Sequence, residues 1–336
     1  MFTRISLLII VMALTLSAAA QQSGCTSMDL PVNVIKASGE PVTGLSAADF
    51  TVQLKKQSAT VNSATYGGGP RRVLFVIDTT RKLSSDARRL EMVFAQEIMA
   101  VAQAEDSFAL ITARGISQSV KFGTDRSDVT KALQVLNEGA GESGDSHAGP
   151  LDAVTDGISW FGEPRVGDTI VLMALNLEDN HKATPKSVAR LLGDHGIRLF
   201  GLALGPLQLQ NSTAAGMVLD KDGFGYRQPG MQLHESLADP NFFPLSIESG
   251  GYIVPVNTIA AHSQFELTAA KKVQIQSNGQ LMARLIDNFY DIHIKASSGS
   301  HGEAANVSLD KGHAAAGLHV LFPHSAGACS STVAAK

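Results

Sequence analysis

The chain has 336 residues, with 27 Lys and Arg against 31 Asp and Glu for a net charge of −4. That length accommodates one large domain and a smaller companion, and a mildly acidic chain without a basic run has no electrostatic footprint for nucleic acid. After the first twenty residues no apolar run approaches the roughly 20 residues that a membrane-spanning helix needs.

Residues 1–20 read as a signal peptide. Arg4 supplies the positive start, Leu7 to Leu16 the apolar stretch, and Ala18-Ala19-Ala20 a small-residue cleavage site before Gln21. A retained anchor is the competing reading, but the apolar stretch is short for one. Cleavage and export are therefore expected, to the periplasm, the cell envelope or the medium, with no transmembrane segment in the mature chain. Cys25, in Gln22-Ser23-Gly24-Cys25, has a second reading as a lipid-attachment site. Cys25 and Cys329 stand at opposite ends of the mature chain. In an oxidising compartment they are candidates for one disulfide, with two unpaired thiols as the alternative.

Residues 21–69 form an N-terminal β segment. Leu30 to Ile35, Phe50 to Leu54 and Ala59 to Val61 alternate in polarity and are separated by the turn Ser38-Gly39-Glu40-Pro41. From Arg72 the pattern changes to strand and helix in alternation, defining an α/β domain over residues 70–258. Strands are expected at 73–78, 107–113, 119–122, 169–175, 197–204 and 252–256. Helices are expected at 84–103, 127–137, 151–161, 184–195 and 242–249. Thr184-Pro185 supplies an N-cap and a proline at the first helical position, and Gly196 suits a left-handed helix end. A hairpin is expected around Asp220-Lys221-Asp222-Gly223. This alternation specifies a doubly wound, mostly parallel sheet flanked by helices. A linking helix over 259–287, a C-terminal β segment over 288–325 and a tail over 326–336 complete the chain. The two β segments are expected to pack together as a small sandwich-like companion built from both chain ends.

The candidate site begins at Val73-Leu74-Phe75-Val76-Ile77-Asp78-Thr79-Thr80-Arg81-Lys82. Five apolar residues read as a strand buried on both faces. The polar residues after it lie at the strand's carboxyl end, where open α/β sheets place their ligands. Asp78 and Thr80 both offer oxygen to a hard cation.

Four segments follow one another in a suggestive order: Gly39 to Phe50, Val73 to Asp78, Leu175-Asn176-Leu177-Glu178-Asp179-Asn180, and Ser249-Gly250-Gly251-Tyr252. Together they resemble the von Willebrand factor type A domain, in the bacterial VWFA-related group of the Acidobacteria type, over roughly residues 30–296. The resemblance implies a Rossmann-like fold and a protein partner met by loops at the carboxyl ends of the strands. Metal-binding members use Asp-x-Ser-x-Ser in one loop, Thr in a second and Asp in a third.

Here Asp78 and Thr80 match, whereas Lys82 stands at the third position and has no lone pair to give while charged. Ala148 stands where Thr is expected, with Ser146 the nearest hydroxyl and His147 beside it. Asn176 replaces the Asp. The resemblance thus implies a degenerate metal site in which the Lys82 ammonium, paired with Asp78, replaces the ion. A Lys82 that points to solvent is the blander alternative. No cofactor is expected.

The function read from the sequence is an exported, non-enzymatic binding module with Asp78, Thr80, Lys82, Ser146, His147 and Asn176 on its partner-facing loops. An adhesin using Mg²⁺ or Ca²⁺ on Asp78 and Thr80 is the first alternative. A hydrolase using Ser146, within Gly144-Asp145-Ser146-His147, is the second, although that motif does not follow a buried strand.

Overall fold

A computed structural model describes residues 25–36, 39–79, 83–113, 117–139, 149–177, 180–204, 217–219, 225–227, 242–256, 265–299, 304–314 and 317–325. The chain begins with β1 (Cys25–Ile35), β2 (Phe50–Leu54) and β3 (Gln57–Tyr66). The α/β part follows as β4 (Arg72–Asp78), α1 (Ser85–Val101), β5 (Ser107–Ala113), β6 (Ser119–Val120), α2 (Arg126–Glu138), α3 (Pro150–Ile158), β7 (Thr169–Ala174), α4 (Pro185–His195) and β8 (Arg198–Leu204). It continues through the hairpin strands β9 (Met217–Leu219) and β10 (Gly225–Arg227), then α5 (Phe242–Glu248), β11 (Ile253–Val256) and α6 (Ala269–Asp287). The last elements are β12 (Tyr290–Gly299), β13 (Ala305–Leu309), α7 (Lys311–Ala314) and β14 (His319–Leu321).

Six strands of the α/β part align in the order β11-β8-β7-β4-β5-β6, all parallel except the antiparallel edge β6. Strand alternation in β4 shows why the sheet is covered on both faces. Val73, Phe75 and Ile77 pack with Leu90, Phe94 and Ile98 of α1 and with Met282 and Leu285 of α6. Leu74 and Val76 turn the other way, to Leu151 and Val154 of α3 and Val188 and Leu192 of α4. The doubly wound reading holds.

The helix expected to link the two parts, α6, lies against α1. Gly279 permits this contact: a Cβ there would stand 2.8 Å from the Cβ of Glu97 and 3.0 Å from the carbonyl oxygen of Phe94. Glycine inside a helix costs about 1 kcal/mol against alanine, and the close approach offsets it. Glu97 reinforces the seam by accepting hydrogen bonds from Gln276 at 2.7 Å and Gln280 at 3.1 Å.

The second sheet takes strands from both chain ends, in the order β13-β2-β3-β12-β1-β14. Its form differs from the sandwich expected from sequence. The sheet curls, and its edges approach each other through the antiparallel bridge between Ala304 and Ser325. One inward face therefore buries Met28, Leu30, Val32, Phe50, Val52, Ile292, Ile294 and Val307, and among the described residues no second sheet is stacked on it. Tyr290 is fully buried at its centre; its hydroxyl donates to the Val42 carbonyl and accepts from the Leu45 amide, both at 3.0 Å.

The junction between the two sheets is polar and buried. The C-terminal end of α6 presents carbonyls without helical partners, and two guanidinium groups meet them. Arg198, wholly buried, donates to Leu285 and Ile286, and Arg71 donates to Asp287. Asn33 of β1 donates to Leu285 and Asn288 and accepts from Arg198 at 2.9 Å. The Phe289 ring lies between the guanidiniums, 4.1 Å from Arg71 and 4.3 Å from Arg198. Cationic groups at a helix C-terminus also complement its dipole. Neither the disulfide nor the lipidation reading is addressed by these contacts: Cys329 and the Cys25 side chain lie outside the described residues.

Candidate functional site

Asp78 is the last residue of β4, and its parallel neighbours end beside it: β5 at Ala113 and β7 at Ala174. The carboxyl ends of three central strands therefore converge, as the sequence led one to expect. Asp78 and Thr79 are buried at 0% and 1% exposure. The Thr79 amide donates to the Ala113 carbonyl at 2.9 Å, and Arg88 of α1 donates to the Thr79 carbonyl at 3.0 Å. Asn176 is partly exposed just past β7. Among the predicted site residues, these are the two the structure brings to one end of the sheet. Thr80, Lys82, Ser146 and His147 lie outside the described residues, as do Glu178 and Asp179.

Two features behind this apex were not anticipated. The first is Glu91, on the inner face of α1 and 3% exposed. Among the described residues its Oε1 has no hydrogen-bond partner. Burial raises its pKa well above the usual carboxyl value, the negative charge of Asp78 raises it further, and Arg88 opposes both. Burial and Asp78 thus both disfavour the charged form of this carboxyl group behind the apex. A void of about 10 Å³ adjoins it, lined also by Thr79, Arg88 and Leu133; that is at the lower limit for one water.

The second is a clamp across two loops. Asp152, in the first turn of α3, accepts hydrogen bonds from the amides of His181, Lys182, Ala183 and Gly149, at 2.6, 3.1, 2.8 and 3.3 Å. Desolvation pushes its pKa up, but the four backbone donors outweigh this and hold it below the ordinary value. In return, the Asn180 side chain accepts from the amides of Leu151 and, more weakly, Asp152. The loop after β7 is thus tied to the start of α3, and two orphan donors of that helix are satisfied from outside it. Asp152 and Asn180 are both polar residues flanking apolar elements, which is the only sign of the clamp in the sequence.

A separate trio, Asp49, Asp310 and His313, gathers at one end of the curled sheet. His313 Nδ1 lies 2.8 Å from Asp310 and 3.5 Å from Asp49. Asp310 is exposed and the other two are partly so; Asp310 accepts from the His313 amide and lies within hydrogen-bonding distance of its ring, while the Asp49 carboxylate accepts from Ser46, so each group has a protein partner.

The sheet order, the helices on both faces and the convergent strand ends define a doubly wound α/β domain with a curled β companion. No protein-family model matches the sequence, and no curated protein matches it. Solved structures with a similar backbone include an aerotolerance-related membrane protein from Bacteroides fragilis, at 13% identity and a TM-score of 0.41, covering 65% of this chain and 98% of that one. A von Willebrand factor type A protein from Catenulispora acidiphila has 8% identity and a TM-score of 0.40, with coverage of 92% and 75%. BatB from Bacteroides thetaiotaomicron has 16% identity and a TM-score of 0.37, with coverage of 63% and 98%. The fold assignment rests on strand order and crossovers, which these numbers do not add to. Among the described residues, no helix is long and apolar enough to cross a membrane.

Proposed function

We propose that this chain is an exported, non-enzymatic binding protein of the von Willebrand factor A-like kind. It presents the loops after β4 and β7, around Asp78 and Asn176, to a protein partner without a metal ion. The supporting observation is the Asp152 clamp. Four backbone amides converge on one carboxylate, so the loop from 180 to 183 is held by the protein itself. A preorganised loop loses little conformational freedom on binding, which is where much affinity is otherwise spent. Asn176 in place of a carboxylate removes one negative charge from the same surface and weakens any attraction for a divalent cation.

The test has two arms. Calorimetric titration with Mg²⁺, Mn²⁺ and Ca²⁺ is expected to show no saturable heat. Saturable binding lost in Asp78→Ala would establish the metal-dependent reading instead. Cross-linking capture from the native envelope fraction, in the presence of chelator, is expected to recover a partner with the wild-type chain and not with Asn176→Arg. Capture that vanishes with chelator, or that Asn176→Arg leaves intact, would overturn the assignment.

A further inference from the structure

The curled sheet and the α/β part do not meet flush. Between β14 and the corner formed by α5 and β11 lies a cavity of about 340 Å³. Small-molecule sites begin at about 300 Å³ and are common at junctions between structural units. Ile35 and Leu321 form one wall; Phe243, Ile247 and Ile253 form the opposite one.

Strand alternation brings an imidazole into this mostly apolar space. His319 is the cross-strand partner of Ile35, so both project from the same face of the sheet, and both line the cavity. The next pair, Val34 and Val320, packs with the companion core, and Val320 also borders the cavity. Among the described residues the His319 imidazole has no hydrogen-bonding partner, and its apolar surroundings lower its pKa. Among the described residues the lining contains a second imidazole, that of His324, and no carboxylate, lysine or arginine. The chemistry thus suits an aliphatic body and a head that an imidazole can receive: an acid, which accepts its N–H and can share its proton. An ammonium head finds no anion among these described residues.

We propose that this cavity is a binding site for a small amphiphile, its aliphatic chain lying against Ile35, Phe243 and Ile253 and its acidic head hydrogen-bonded to His319. The space equals about eleven waters of liquid volume, close to a chain of roughly ten methylenes.

The test uses the purified full chain and the dye anilinonaphthalene sulfonate, displaced by hexanoate, octanoate, decanoate and dodecanoate and by alkylammonium ions of matching length. Each added methylene is expected to tighten binding about three- to fourfold until the cavity is full, after which the gain stops. Carboxylates are expected to exceed ammonium ions by about tenfold. His319→Leu removes that preference and keeps the chain-length dependence. Leu321→Trp fills the space and abolishes displacement while the unfolding midpoint is retained. Where Leu321→Trp does not fold, Ile247→Trp, at a partly exposed position on α5, gives the same readout. Affinity flat in chain length, ammonium ions equal to carboxylates, no displacement by any member, or unchanged binding in the folded tryptophan variant would each overturn the proposal.

Discussion

Replacing Glu91 by leucine is expected to make the protein more stable, and more so as pH rises. The side chain is 3% exposed and its Oε1 has no partner among the described residues. Leaving a buried acceptor unsatisfied costs about 1–3 kcal/mol, and leucine of similar volume removes that cost. At about 2–4 °C per kcal/mol for a domain of this size, Tm is expected to rise by about 2–12 °C. The pH dependence follows from the raised pKa. Above the ordinary carboxyl value of 4.5 the unfolded chain releases the Glu91 proton while the folded chain, where burial and Asp78 oppose ionisation, retains it. Folding then takes up a proton, so the contribution of this group to stability falls by about 1.4 kcal/mol per pH unit as long as the folded acid stays neutral. Urea unfolding of wild type and Glu91→Leu at pH 5 and pH 8 measures both effects, because other titrating groups cancel in the difference. Glu91→Gln serves as a control that removes the pH slope while retaining a buried polar group. A leucine variant less stable than wild type at pH 8, or a gap between the two that does not widen with pH, would refute the reasoning.

Asp152→Ala removes the common acceptor of four amides. It is expected to cost about 2–3 kcal/mol and to speed hydrogen exchange at residues 181–183 while β4 and β7 stay protected. Asp287 has its pKa raised to about 7, first by desolvation and then by Asp106, against the opposing pull of Arg71 and Arg198. The folded protein binds this proton more tightly than the unfolded chain, so stability is fully present below the unfolded value of 3.8 and is lost as pH rises through about 7. Asp287→Asn is expected to recover about 2–4 kcal/mol at pH 8 relative to pH 4, read from urea midpoints.

Local pattern carried the α/β part well. The apolar run of β4, the Thr184-Pro185 start and the left-handed Gly196 end of α4 all rest on short-range chemistry, and each stands as expected. Elements that depend on distant partners were less legible. β3 starts at Gln57, before the expected Ala59, because its hairpin turns on Lys55 and Lys56, both with positive φ, and not on the Asn or Gly such a turn favours. β1 reaches back to Cys25 because β12 supplies partners as far as Gly299. Curling of the second sheet depends on Ala304 meeting Ser325, which no periodicity reports. Glu91 did leave a trace: it sits one turn after Ala87 and one before Ala95, at a core position of an otherwise apolar stripe.

The seam between β1 and β12 sets the order in which the molecule can assemble. Asp29 and His293 face each other across it, 264 residues apart in the chain. Closing so long a loop precedes any reward from the contacts it makes, so pairings of this kind form late and slowly. The α/β part can collapse on its own neighbouring strands first. Until the last strands arrive, β1 has no edge to join, and Arg198 at the end of α6 lacks Asn33. The curled sheet is therefore the final act of folding, and a chain cut before β12 would leave its beginning, as well as its end, without a place.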